Sequence, residues 1–123
     1  MKLAVHHIAL PTHNLAQAEI FYSQVMGLDF LEYQYDDQKN KRSIWYQLDH
    51  DVILMIELTP HPTTKNENQV LAFEIIKEQR ADWIQKLVQN KIPILKETPS
   101  TIYFEDPDGN PLALSHYPAL SLK

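Results

Sequence analysis

At 123 residues, with 44% hydrophobic and 22% charged side chains, the chain has the balance of one soluble globular domain with a single well-buried core. A formal net charge of -5, with only Lys39, Lys41 and Arg42 clustered among the basic residues, argues against a nucleic-acid surface, which needs grouped cations. The sequence has no cysteine for disulfides or thiolate metal sites, and no apolar run long enough for a signal peptide or membrane span, so a cytoplasmic location is expected.

In chain order, His6 to Leu10 is a short apolar run closed by Pro11 and reads as a strand. Asn14 then caps a helix, with Gln17 three residues on in a capping-box relation. Leu15, Ala18, Tyr22, Val25 and Met26 recur along one helical face, and Gly27 stops the helix because a left-handed cap favours glycine. Strands are predicted over Asp29–Tyr35, Ser43–Leu48 and Val52–Leu58. Thr59–Asn68, rich in Pro, Thr and Asn, reads as a linker.

The second half repeats the order. Val70–Ile76 is a predicted strand, and Glu78–Asn90 a helix whose apolar face is Trp83, Ile84, Leu87 and Val88. Strands follow over Ile92–Lys96, Thr101–Glu105 and Pro111–His116. Superposing His7, Ile8, Ala9 and Leu10 on Val70, Leu71, Ala72 and Phe73 sets Gly27 over Asn90 without a gap; both tolerate the left-handed cap. The expected fold is therefore α+β: two tandem βαβββ modules, about 1–60 and 69–118, forming a cup-shaped mixed β-sheet with helices on its outer face.

Strand parity sorts the side chains. Ile8, Leu10, Ile44, Tyr46, Leu48, Leu54, Ile56 and Leu58, with Leu71, Phe73, Ile75, Ile102, Phe104, Leu112 and Leu114, form an apolar set for the helix side. The opposite face carries His7, Ser43, Trp45, Gln47, Met55, Glu57, Glu74, Tyr103, Glu105 and Ser115, a polar and aromatic mixture suited to a ligand cavity.

His6-His7-Ile8-Ala9-Leu10, then Asn14-Leu15, Phe21-Tyr22 and Gly27-Leu28, resembles the opening of the vicinal-oxygen-chelate superfamily of glyoxalases, bleomycin-resistance proteins and extradiol dioxygenases. The ending Ile102-Tyr103-Phe104-Glu105-Asp106-Pro107-Asp108-Gly109-Asn110-Pro111-Leu112 is similar to that family's closing hairpin. The resemblance implies metal ligands on the first and last strands of each module, at His7, Glu57, Val70 and Ala113 in this sequence. His7 and Glu57 suit that role, whereas Val70 stands for an expected histidine and Ala113 for an expected glutamate. A divalent cation needs three or four protein ligands to outcompete water, so no cofactor is expected; a weakly bound divalent metal stays open, with Glu105 one strand rung (~7 Å) from Ala113 as a replacement ligand.

The candidate site is accordingly His7 and Glu57, as an incomplete metal site or an acid/base pair, with Tyr103 where the resemblance to the fosfomycin-resistance branch puts a substrate-contacting tyrosine. Trp45 and Met55 form an apolar wall, and Gln47, Glu74, Glu105 and Ser115 a polar lining for a ligand. His6 and His116 have the wrong parity, and His13, His50 and His61 fall in caps or turns. The favoured reading is a small-molecule-binding protein with a degenerate metal site, beside a glyoxalase-like lyase or isomerase and a dimerisation domain with no substrate. Dioxygenase and fosfomycin-modifying chemistry are disfavoured by Val70 and Ala113. A homodimer is implied by the resemblance, with no nucleic-acid or membrane partner.

Overall fold

The first strand, β1 (His7–Thr12), runs through Pro11 instead of stopping before it. The computed structural model, which describes residues 1–60 and 68–118, shows why: β1 is an edge strand, where the missing N–H of proline leaves no ladder bond broken. Residues 61–67 of the expected linker, His61 among them, lie outside the described residues. The chain divides into two compact units, Met1–Thr64 and Lys65–Lys123.

In the first unit, Asn14 caps helix α1 (Leu15–Glu19) by accepting the Gln17 N–H at 3.0 Å. The reciprocal half of the expected capping box is supplied by Thr12, whose Oγ1 accepts the Asn14 N–H at 3.1 Å. The helix continues as a π-helical stretch, Ile20–Val25, and ends at Gly27, which takes the expected left-handed conformation with φ 69°. The Leu28 N–H reaches back to the Tyr22 carbonyl at 3.0 Å, so the last turn leaves no orphan there. Strands β2 (Asp29–Tyr35), β3 (Lys41–Gln47) and β4 (Ile53–Leu58) complete a sheet of order β1-β4-β3-β2, with β1 and β4 parallel and the rest antiparallel.

The second unit has the same order, β5 (Leu71–Glu74), β8 (Pro111–Ser115), β7 (Thr101–Glu105), β6 (Lys96–Glu97), again with the outer pair β5 and β8 parallel. A 3-10 turn, Lys77–Gln79, leads into helix α2 (Arg80–Gln89), so the helix begins later than the sequence suggests. The two tandem βαβββ modules are thus present, as two four-stranded sheets. Strand β6 is two residues long, not the five predicted from Ile92, because Pro93 has no N–H to give to a ladder. Asn90 is not the left-handed residue after α2; Lys91 is, at φ 59°, while the Asn90 side chain donates to the Lys86 carbonyl at 2.8 Å.

The parity reading holds for the cores. Ile44, Tyr46, Leu54 and Ile56 are buried with Ala18, Phe21, Tyr22 and Val25 in the first unit. Ile102, Phe104, Leu112 and Leu114 are buried with Leu87 in the second. Val88 departs from the expected apolar face and is exposed, as is Leu58 at the end of β4. Burial pushes the Tyr46 phenol above its ordinary pKa, although its oxygen shares a 2.9 Å hydrogen bond with Ser23.

Two loops share one hydrogen-bonding plan. In Asp106–Asn110 the Asp106 Oδ1 accepts the N–H groups of Asp108 and Asn110, both at 2.9 Å, and Oδ2 accepts the Asn110 side chain at 2.7 Å. In Asp36–Asn40 the Asp36 Oδ1 accepts from the N–H groups of Gln38 and Asn40, both at 2.9 Å. Gly109 supplies the positive φ of the first and Lys39 that of the second, at 85° and 65°.

Candidate functional site

The register of the first sheet orders its helix-free face into cross-strand rows. Pro11, Glu57, Ser43 and Gln34 form one row, Ala9, Met55, Trp45 and Glu32 the next, and His7, Ile53, Gln47 and Asp29 the third. His7 and Glu57 therefore share a face, as parity predicts, but stand two rows apart, about 13 Å along the strands. The register does not bring them together as an imidazole–carboxylate pair. His7 is exposed, and its Nδ1 lies 3.0 Å from that of His6.

Ser43 is wholly buried, and Trp45, Gln47, Met55 and Glu57 are half-buried. Gln47 is used locally: its side-chain N–H groups go to the carbonyls of Leu48 and Val52, at 3.1 and 3.3 Å. Ser43 Oγ, Trp45 Nε1 and Glu57 Oε2 are buried atoms with no hydrogen-bond partner among the described residues. Of these, Ser43 was placed on the ligand-facing side by parity but was given no role in the site. Its parity matched Glu57, but only the register shows the two directly opposed.

On the second sheet, Ala72, Ala113, Tyr103 and Lys96 form one row and Glu74, Ser115 and Thr101 the next. Tyr103 is half-buried with the Lys96 ammonium 5.7 Å from its ring centre, a cation–π arrangement. A cleft of about 400 Å3 opens here, lined by Val70, Leu95, Lys96, Tyr103, Glu105 and Pro111 among others. Tyr103 and Glu105 both line this cleft. Ser115 instead spends its hydroxyl on Thr101 Oγ1 at 2.9 Å, and Glu74 is exposed.

The positions that the resemblance assigns to a metal do not fit one. Val70 is an aliphatic wall of the cleft, and Ala113 is fully buried beside Tyr103. Neither side chain carries a donor atom. Among the described residues, no three His, Cys, Asp or Glu side chains are placed to hold an ion. The register also revises the correspondence between modules. With His7 over Val70, Ala9 falls on Ala72; Ala9 pairs with Met55 and Ala72 with Ala113. Met55 is therefore the counterpart of Ala113, and Ser115 that of Glu57.

A further polar cluster escaped the sequence reading. Arg80 Nη1 lies 3.3 Å from His116 Nε2, and Nη2 donates to Glu97 Oε1 at 3.1 Å and to the Thr98 carbonyl at 2.8 Å. A guanidinium only donates, so Nε2 is the accepting atom of the His116 ring in this contact. This cluster ties the start of α2 to β6 and the end of β8. No spacing in the sequence announced it, because its members lie on separate elements.

The sequence pattern of the Glyoxalase/Bleomycin resistance protein/Dioxygenase superfamily matches residues 4–114. The chain belongs to this superfamily. Among its relatives is the metallothiol transferase FosB of Staphylococcus haemolyticus, 28% identical over 117 residues, covering 89% of this chain and 81% of the relative. FosB of Staphylococcus epidermidis is 27% identical over 119 residues, covering 90% and 80%. A mutant of the fosfomycin resistance protein FosX from Listeria monocytogenes, solved with Mn(II) and 1S,2S-dihydroxypropylphosphonic acid, superposes with a TM-score of 0.80 at 17% identity over 94% of each chain. Lactoylglutathione lyase from Agrobacterium tumefaciens superposes with a TM-score of 0.72 at 19% identity over 93% of each. At such identities the two structures establish the superfamily fold. No described helix is long and apolar enough to cross a membrane.

Proposed function

We propose that this superfamily member binds a small organic molecule and that its metal positions have lapsed. The observation that carries the reading is the cleft of the second unit. Val70, which occupies the position of an expected ligand histidine, is one of its apolar walls, beside Leu95 and Pro111. Lys96, Tyr103 and Glu105 supply a few polar groups around that apolar lining, the usual composition of a ligand pocket. The named relatives include a metallothiol transferase and a protein crystallised with Mn(II). This chain keeps their fold, but Val70 and Ala113 offer a cation nothing.

The alternative is a glyoxalase-like lyase or isomerase using His7 and Glu57 as metal ligands or as an acid/base pair. It has in its favour the likeness to lactoylglutathione lyase, and against it the two rows that separate those residues. As the family resemblance implies, the protein is read as a homodimer, which light scattering checks directly.

A thermal-shift screen of aromatic and cationic small molecules, run with and without EDTA, separates the two readings. Stabilisation by at least one ligand class, unchanged by EDTA, is the expected result. One equivalent of tightly retained zinc, manganese or nickel in the purified protein, or stabilisation that EDTA abolishes, would overturn the proposal.

A further inference from the structure

Four buried side-chain polar atoms lack a hydrogen-bond partner among the described residues, and three of them lie on one face of the first sheet: Ser43 Oγ, Trp45 Nε1 and Glu57 Oε2. Ser43 and Glu57 are direct cross-strand partners, and Trp45 stands in the adjoining row opposite Met55. Buried polar atoms are overwhelmingly paired, and a buried carboxylate oxygen without a donor is among the costlier exceptions. The fold does not impose this. At the corresponding place in the second sheet, Thr101 and Ser115 satisfy each other at 2.9 Å.

The chemistry of the three groups is complementary to one kind of ligand. A carboxylate accepts, an indole N–H donates, and a hydroxyl does either. We infer that Ser43, Trp45 and Glu57 form a recognition site for a ligand with a cationic nitrogen. An ammonium or amidinium group donates to Glu57 Oε2 and Ser43 Oγ, and an acceptor oxygen elsewhere on the molecule takes the Trp45 N–H. Same-face neighbours along a strand are about 7 Å apart, which sets the span between the ligand's cation and its acceptor. The Trp45 ring and the Met55 thioether give its apolar body a surface to lie on. An anionic ligand meets the Glu57 carboxylate instead and is rejected. This site belongs to the first unit and stands on its own observations; it shares with the small-molecule reading above only that the ligand is a small organic molecule.

The test uses the intact chain and four probes: 4-(aminomethyl)benzamide, its neutral analogue 4-methylbenzamide, benzylamine without the acceptor, and the anion of 4-carboxybenzamide. The readout is the indole N–H resonance of Trp45, one of two tryptophans, assigned with Trp45→Phe. The aminomethyl probe is expected to move that resonance saturably, with 4-methylbenzamide and the anion at least about tenfold weaker. Benzylamine should be intermediate. Glu57→Gln should erase the preference for the cation, and Ser43→Ala should weaken binding severalfold. Equal affinity for the neutral probe, indifference to Glu57→Gln, or no response to any probe overturns the inference. If a probe binds but leaves Trp45 unmoved, this site is refuted while the small-molecule reading stands; silence in the wider ligand screen removes that reading too. A second measurement needs no ligand. Ser43→Ala should leave Tm unchanged or raise it, and a fall of more than about 2 °C would show the hydroxyl already bonded in the free protein.

Discussion

Where Thr101 faces Ser115 on the second sheet, the two hydroxyls bond each other at 2.9 Å; at the matching place on the first, Ser43 faces Glu57 and two buried oxygens go without a partner. Strand order and the sense of pairing are the same in both sheets. Duplication of the architecture therefore did not carry duplication of the chemistry. One module settles its polar pair internally, while the other leaves Ser43 Oγ and Glu57 Oε2 unpaired among the described residues. The adjoining row follows suit, with Trp45 opposite Met55 in one sheet and Tyr103 opposite the small Ala113 in the other.

The heaviest test of this comparison removes matched core residues. Leu54 and Leu112 pair with Ile8 and Leu71 in equivalent places, and both are fully buried. Replacing either by alanine should cost about 2–5 kcal/mol by urea unfolding, because each leaves a cavity. Costs differing more than twofold would show that the modules share topology but not packing. Next come the two aspartate-centred turns. Asp106→Ala strips three hydrogen bonds from a part-buried turn and should cost about 1–3 kcal/mol, whereas Asp36→Ala, in an exposed one, should cost less than about 1 kcal/mol.

Thr101→Val sharpens the central contrast. It should lose about 1 kcal/mol, since Ser115 is left without its hydroxyl partner, against no loss for Ser43→Ala. Lys39→Gly should gain up to about 1 kcal/mol by relieving a left-handed backbone that Gly109 adopts freely, and Gly109→Ala should lose a similar amount.

The smallest effect is one of pH. A hydrogen bond to the Glu19 carboxylate, at 2.5 Å, pushes the Tyr33 phenol up to about 12 from its ordinary 10. The fold thus favours the neutral phenol. Its contribution is complete below pH 10 and is lost as pH rises through 12, so the stability gap between the protein and Tyr33→Phe should close over that interval.

Much of this was readable from the chain. Side-chain parity found both cores, and the Gly27 stop, the Asn14 cap and the Asp106–Asn110 turn all rest on local chemistry that a few adjacent residues determine. What escaped is non-local. The rows separating His7 from Glu57 are set by how β1 and β4 slide against each other, and no spacing within either strand encodes that slide. For the same reason Ser43, though on the right face, was given no role beside Glu57, and His116 was dismissed before Arg80 could be placed beside it. Lys91, rather than Asn90, takes the positive φ because α2 runs through Gln89 and carries the reversal one residue further.

Pro11 has a bearing on what the outer edge of β1 can offer. Along β1 the carbonyls of His6 and Thr12 bond toward β4, so the odd-numbered residues between them turn their amides away from β4. The imide nitrogen of Pro11 interrupts that outward row of donors. An extended segment that paired along this edge would find one donor of the row missing at Pro11, as edge positions of sheets commonly arrange.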